Sequence, residues 1–344
     1  MPALAIADTV RRNVPQAQIL FVGGERGMEG ELVTRAGYTL HALAVEGLSR
    51  RLTVHNLRVL WQTRKAVADA GRILEEFAPD AVIGTGGYAC YPTLHAAATR
   101  HIPCAVHESN AYPGLAVRML SGRLDLVWLN FAEAGKHLAK GANVHVVGNP
   151  LQDRPLDVME RRAQGRTVLS FGGSLGADAM NAAVLDLMEA ERRAGDILHL
   201  HATGKRCYER MLIEFRRRGL DRCPRLRLTP FIEDMPRQMA MADLVICRAG
   251  AMSISELAAA PAAAVLIPSP NVTGDHQRKN ALALSSAGAA VMLEETRLAD
   301  LQGTVMALLR APKELERLRR AISAFAMPDA NRLILADLMR MVKK

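Results

Sequence analysis

The sequence predicts an α/β protein of two doubly wound, parallel-sheet domains facing each other across a cleft, and three observations lead there. Short β-rich apolar runs alternate with helical patterns from end to end. Continuous apolar strands of this kind are buried on both faces, as in a parallel sheet covered by helices. Several runs end in a glycine turn that opens a helix. Finally, "PDAVIGTGGYA" (79–89) is echoed by "ADLVICRAGAM" (242–252), each running from an Asp through an apolar strand to a glycine turn. Ligands of open parallel sheets sit at the carboxyl ends of the strands, so both turns are expected to face the shared cleft.

Taken in order, "MPALAIADTV" with Arg11 and Arg12 reads as an amphipathic helix with its positive charge at the C-terminal end. The strand candidates of the first half are "QILFVGG", "YTLHAL", "PDAVIGTGG", "IPCAVHES", "LDLVWLN" and "NVHVVGN". The second half repeats the scheme with "RTVLSFGG", "DILHLHATG", "RLRLTPF", "ADLVICRAG", "AAVLIPS" and "AAVMLEE". Between the halves, "GNPLQDRPLDVMERRAQGR" (148–166) is polar, contains proline and has no strand pattern, which reads as a linker. The expected division is 1–148, a linker at 149–166, 167–326, and a final segment at 327–344.

Composition narrows the class. A chain of 344 residues is long for one core and suggests two domains. With 49% hydrophobic residues and a mean hydropathy of +0.04, it reads as a soluble globular protein. Its longest apolar runs are broken by Pro and fall short of the roughly 20 residues that span a bilayer. The five cysteines form no C-x-x-C pair and read as reduced thiols in a cytosolic protein. A formal charge of +9 and a pI near 9.6 favour phosphate-bearing partners. Aromatics are only 4% and are not interleaved with the arginines, which argues against nucleic acid.

The clearest phosphate signal is "TVLSFGGSLGADAMN", where Gly172, Gly173 and Gly176 form a turn between a strand and a helix and Ser174 adds a hydroxyl. Glycines let the backbone approach a diphosphate while the N–H groups of the helix N-terminus point at it; the plainer reading is a tight connection. "CRAGAMSISEL" offers a second helix start at Ala251, Met252 and Ser253, with Glu256 either holding a ribose or closing a capping box with Ser253. "PSPNVTGDHQRKNA" places Asp275, His276, Gln277, Arg278 and Asn280 after another strand, either as a sugar-reading cluster or as an Asp cap with a solvated helix face. In the first half, Gly86, Gly87 and Tyr88 follow one strand, and His107, Glu108, Ser109 and Asn110 follow the next. His107 and Glu108 each read as a general base or its orienter, and His107 equally as a satisfied buried histidine. His199 and His201 share a strand face near Cys207, but this is not a zinc spacing. "RRLTVHNLRVLWQTRKAV" is a basic amphipathic helix in which Leu57, Arg58, Leu60 and Trp61 suit contact with anionic lipid, or else an ordinary helix packed on its sheet.

Together, "GTGGYACYPTLHAA", "VHESNAYPGLA", "VVGNPLQ", "FGGSLGADAMN", "FIEDM", "CRAGAMSISEL" and "IPSPNVTGDHQRKNA" resemble, in order and spacing, the MurG family of glycosyltransferase family 28. The resemblance covers nearly the whole chain and implies the GT-B fold, two Rossmann-like domains facing a central cleft. It implies inverting transfer of N-acetylglucosamine from UDP-GlcNAc to lipid I, giving lipid II for peptidoglycan, without a metal cofactor. By motif position, Ser174, Ala251, Met252 and Ser253 would meet the donor diphosphate and Glu256 the ribose. Ile232 and Met235 would lie at uracil, Gln277 and Arg278 at the sugar, and Asn110 would also reach the donor. Gly86, Gly87 and Tyr88 would meet the acceptor, and residues 327–344 would form a helix crossing back to the first domain. Implied partners are UDP-GlcNAc, lipid I, anionic inner-leaflet lipid and other cell-wall synthesis proteins, at the cytoplasmic face of the membrane. Two other readings stand beside this one: a UDP-sugar-binding protein without turnover, and a UDP-sugar:diacylglycerol transferase.

The chain departs from the family pattern in three places. Gln152 stands where many members carry Arg, and Arg278 where Gln is common. Members also begin with a strand and a "GGTGGH" loop, whose histidine is often proposed as the base, before the helix at which this chain starts. The expectation is that Met1 is an internal or misassigned start, and that the strands flanking the absent one lack hydrogen-bond partners.

Overall fold

Each of the twelve apolar runs contains a strand of the structure, a computed structural model that describes residues 2–24, 29–45, 54–152, 166–173 and 176–343. Two compact units are present, Met1–Asp153 with Met327–Lys344, and Arg154–Ala326. Most of the 149–166 segment lies outside the described residues.

The first unit runs α1 (Pro2–Asn13), β1 (Leu20–Gly24), α2 (Glu29–Arg35), β2 (Thr39–Leu43), α3 (Val54–Phe77), β3 (Val82–Gly84), α4 (Cys90–Thr99), β4 (Cys104–Glu108), α5 (Leu115–Leu120), β5 (Leu126–Leu129) and β6 (Val144–Val146). Its strands form two parallel sheets, β1-β2 and β3-β4-β5-β6, so β1 and β3 each keep one edge without a strand partner among the described residues. The opening helix packs on both sheets. Leu4 and Ala7 join Val33, Tyr38 and Phe21 over β1-β2, while Ile6 joins Ala105, Leu126 and Trp128 over the larger sheet. Burying such side chains is worth about 1.5–3 kcal/mol each, which is what holds the two sheets under one helix.

The second unit runs β7 (Arg166–Phe171), α6 (Asp178–Ala194), β8 (Ile197–Ala202), α7 (Tyr208–Arg217), β9 (Leu226–Thr229), α8 (Met235–Met241), β10 (Leu244–Cys247), α9 (Ala251–Ala259), β11 (Ala264–Leu266), α10 (His276–Ser286), β12 (Val291–Met292), α11 (Leu301–Leu309) and α12 (Pro312–Ser323). One six-stranded parallel sheet has the order β12-β11-β10-β7-β8-β9. Two of its inner strands are apolar throughout, as burial on both faces favours: every residue of β10 and β11 is buried. Val184, Leu187 and Met188 of α6 recur at helical spacing and are fully buried on this sheet.

The last helix, α13 (Ala330–Val342), belongs to the first unit. Ile334, Leu338 and Met341 bury its apolar stripe beside Ile6 of α1 and Trp128 of β5. Asn331 Nδ2 donates to the Leu151 carbonyl at 2.7 Å. All five cysteines are free thiols.

Candidate functional site

The strand order of the second unit reverses between β7 and β10, since β8 and β9 extend the sheet one way and β11 and β12 the other. Outside the carboxyl ends of two strands flanking such a reversal the following helices diverge to opposite faces and leave a crevice. Phe171 pairs with Cys247, so the turns after these residues leave the sheet side by side.

The first turn is shaped by glycine. Gly173 and Gly176 have φ of +92° and +83°, in the left-handed region. A Cβ on Gly176 would lie 2.2 Å from the Thr203 carbonyl oxygen and 2.9 Å from Cys207 Sγ, so the turn can rest on the β8–α7 connection only as glycine. A Cβ on Gly173 would meet nothing within 4 Å among the described residues. Ser174 lies outside the described residues. Asp178 opens α6, and its carboxyl is held below the usual range by the Cys207 thiol, which donates to it at 3.0 Å, and by Arg210. Burial, then this carboxylate, push the Cys207 thiol up.

The second turn ends at Gly250, the N-cap of α9, in extended backbone and without a side-chain cap. Ala251, Met252 and Ser253 are therefore the first three residues of the helix, at the positive end of its dipole. Ser253 is not the cap, so the capping box with Glu256 does not form. Glu256 is half-buried one turn further along. Arg248, which sequence reasoning passed over, braces this turn: it donates to the Ile267 and Pro268 carbonyls at 3.3 Å and pairs with Glu295.

Around these turns, Ile232 is buried ahead of α8, and Met235, half-buried, is the first residue of α8. Asp275 occupies the N-cap position of α10 in the left-handed region, at φ +57°, and makes no side-chain cap bond. Asn280, fully buried, donates to the Ala249 carbonyl at 3.3 Å and ties α10 to the second turn. Gln277 accepts the Ser269 N–H at 2.9 Å, so its amide NH2 is what it offers a ligand. Arg278 donates to Glu294 at 2.9 Å, an ion pair that raises its already high pKa. Its charge is answered within the chain.

In the first unit, Gly86 and Gly87 have φ of +89° and +82°, and the Tyr88 side chain beside them is 61% exposed. His107 and Glu108, each read as a general base or its orienter, both lie buried in β4 with their polar atoms engaged inside the unit. His107 is 1% exposed, donates from Nε2 to the Gly148 carbonyl at 2.8 Å, and is held neutral by burial, which lowers its pKa to about 4. Glu108 accepts from the Asn110 N–H at 2.9 Å, from Asn110 Nδ2 at 3.0 Å and from the Gly114 N–H at 2.8 Å. Both side chains thus hold loops together. Leu57, Arg58, Leu60 and Trp61 lie on α3, with their side chains outside the described residues. Among the described residues no group of three or more His, Cys, Asp or Glu is placed to hold a metal ion.

Comparison with known proteins agrees with this architecture. The model of the glycosyltransferase family 28 N-terminal domain matches residues 1–128, and that of the C-terminal domain residues 167–334. The UDP-N-acetylglucosamine--N-acetylmuramyl-(pentapeptide) pyrophosphoryl-undecaprenol N-acetylglucosamine transferase of Acetivibrio thermocellus is 35% identical over 98% of this chain and 95% of its own. That of Salinibacter ruber is 38% identical over 100% and 94%. The crystal structure of Acinetobacter baumannii MurG superposes with a TM-score of 0.77 at 26% identity, covering 98% of this chain and 95% of that one. With both domains matched in order and relatives this similar over nearly the full length, the chain belongs to glycosyltransferase family 28, in its MurG branch.

Proposed function

We infer that the chain transfers N-acetylglucosamine from UDP-GlcNAc to the MurNAc 4-hydroxyl of undecaprenyl-diphospho-MurNAc-pentapeptide, lipid I, to form lipid II. The observation that carries this reading is the pair of helix-opening turns at the strand-order reversal of the second unit. In the displacement, the acceptor oxygen bonds to the anomeric carbon as its proton passes to a base, and the bond from that carbon to the diphosphate oxygen breaks with inversion, the electron pair leaving with UDP. Charge develops on the departing UDP. Backbone N–H groups at Ala251, Met252 and Ser253, with that of Gly173, answer it without a metal. In this reading Ser174 adds a hydroxyl to the diphosphate, Glu256 accepts the ribose hydroxyls, and Ile232 and Met235 flank uracil. The Gln277 NH2 and Arg278 face the sugar. Gly86, Gly87 and the exposed Tyr88 belong to the acceptor unit.

No described helix is long and apolar enough to cross a membrane. The reading also puts the protein peripherally on the cytoplasmic face, with Leu57, Arg58, Leu60 and Trp61 of α3 meeting anionic lipid. Cosedimentation with phosphatidylglycerol vesicles, and its loss in an R58E/W61A variant, tests this.

The activity is tested by transfer of labelled GlcNAc from UDP-GlcNAc to a short-chain lipid I analogue. Labelled lipid II supports the reading. UDP binding without product would leave only a UDP-sugar-binding protein, and absence of both would overturn the assignment of the two turns.

A further inference from the structure

Behind the first glycine turn lies a run of polar side chains with no access to solvent. Glu191 of α6 is 1% exposed, and His199, Ser170, His201 and Asn181 are fully buried. They form one continuous hydrogen-bonded chain. Glu191 Oε2 lies 2.6 Å from His199 Nδ1, and His199 Nε2 lies 2.6 Å from Ser170 Oγ. Ser170 Oγ lies 2.7 Å from His201 Nδ1, His201 Nε2 lies 3.1 Å from Asn181 Oδ1, and Asn181 Nδ2 lies 3.0 Å from the Thr203 carbonyl oxygen. Five polar side chains in a dry interior are costly unless each bond is made in the right direction.

The direction follows from the far end. A carbonyl only accepts, so Asn181 donates to Thr203 through its NH2 and turns its oxygen to His201. His201 must then donate from Nε2. Burial, and next the neighbouring His199, push its pKa down to about 3, so it is neutral and its Nδ1 is an acceptor. The Ser170 carbonyl, 3.2 Å from the same nitrogen, is a poorer partner than the hydroxyl at 2.7 Å. Ser170 therefore donates to His201 and accepts from His199 Nε2. His199 is left with Nδ1 against a carboxyl group at 2.6 Å, and that short bond must hold one proton, on the carboxyl or on the ring.

The far end is also where the glycine turn rests. Asn181 is the fourth residue of α6, and its own N–H bonds the Ala177 carbonyl at 2.8 Å. The Thr203 carbonyl that it grips is the atom against which Gly176 sits with no room for a Cβ. One side chain thus fastens the first turn of α6, the β8–α7 connection and the glycine turn together. We propose that Glu191, His199, Ser170, His201 and Asn181 are positioning residues for the donor diphosphate: the proton shared by Glu191 and His199 orients the chain, and the chain locks Gly176 and the first turn of α6 in place. This rests on the donor-site reading above.

The test combines one variant that cuts the chain with one that keeps its direction. Ser170→Ala removes the central link. Glu191→Gln replaces the carboxyl with an amide whose N–H donates to His199 Nδ1, so the order of donors downstream is unchanged. The expected result is that S170A raises the Kd for UDP and the KM for UDP-GlcNAc about tenfold with kcat within twofold, whereas E191Q stays within twofold in all three. Long-range 1H–15N spectra of the unsubstituted full chain, which need no variant to fold, are expected to show His201 protonated on Nε2. A UDP affinity unchanged in S170A, or His201 protonated on Nδ1, would overturn the positioning role. If the unsubstituted chain binds no UDP, the donor-site reading falls and takes the purpose of the chain with it, a failure distinct from equal UDP binding by both proteins.

Discussion

The indole N–H of Trp128 donates to Asp337 Oδ2 at 3.0 Å across 209 residues of sequence. Trp128 lies fully buried in β5, and Asp337, 8% exposed, is on α13, so this bond fixes where the end of the chain docks on the first unit. His145 Nδ1 lies 2.9 Å from the same carboxylate oxygen. Replacing Asp337 with Ala orphans the buried indole donor, at a cost of about 1–3 kcal/mol. Both tryptophans of the chain, Trp61 and Trp128, belong to the first unit, so the tryptophan-fluorescence transition in urea reports its loss of stability. The D337A midpoint is expected to fall, and that of D337N, which keeps an acceptor for the indole, to fall less.

His107 makes the first unit sensitive to acid. Its folded-state pKa, about 4, lies below its ordinary value of 6.5. Between these pH values the unfolded chain binds a proton that the folded chain does not. Stability from this group is therefore complete above about pH 7, falls as the pH drops from 6.5 towards 4, and changes no further below that; the total is on the order of 3 kcal/mol. Urea midpoints read by tryptophan fluorescence at pH 7.5 and 4.5 are expected to differ less in H107Q than in the unsubstituted chain. An equal drop in both would remove His107 from the account.

Gly176 and Gly173 separate close packing from backbone strain. In G176A the new methyl would lie 2.2 Å from the Thr203 carbonyl oxygen, so the turn has to move and UDP affinity is expected to fall more than tenfold. G173A meets only the left-handed φ of +92°, a penalty of roughly 1–2 kcal/mol. Thermal unfolding of the two variants without ligand is expected to show the larger loss in G176A.

If Glu256 accepts the ribose hydroxyls, E256Q removes charge-assisted bonds worth about 1.5–3 kcal/mol in all, and the KM for UDP-GlcNAc rises between about tenfold and a hundredfold. A donor lacking the ribose 2′- and 3′-hydroxyls is expected to bind the variant and the unsubstituted chain alike. Because backbone N–H groups answer the leaving charge in this reading, transfer is expected to persist in excess EDTA. Loss of activity with EDTA and recovery with a divalent cation would overturn the metal-free reading.

All twelve strands of the described residues and the helix-opening turns were legible in the sequence because their signals are local. A run such as "ADLVICRAG" announces a doubly buried strand by composition, and Gly172, Gly173 and Gly250 announce the turns by backbone freedom. Fates set by burial were harder to read. His107 left a base and a buried structural group equally open, and its burial in β4 and the Gly148 carbonyl facing it appear only in the tertiary structure. His199 and His201 were legible as sharing one strand face but not as links to Ser170. That link comes from the β7–β8 register, which pairs Ser170 with His201, and from Glu191 arriving on a different element.

By itself, the sequence determined the α/β class, the order of elements and the motifs that mark the family, since periodicity and turn chemistry are properties of neighbouring residues. Tertiary structure alone decided that β7 and β10 are adjacent, which makes two separated glycine turns into one crevice. It alone brought Asp337 to Trp128 and divided the strands of the first unit between two sheets. The physical reason is the same in each case. Hydrogen-bond partners and buried surfaces are chosen by packing among segments far apart in the chain, and no local pattern carries the identity of the partner.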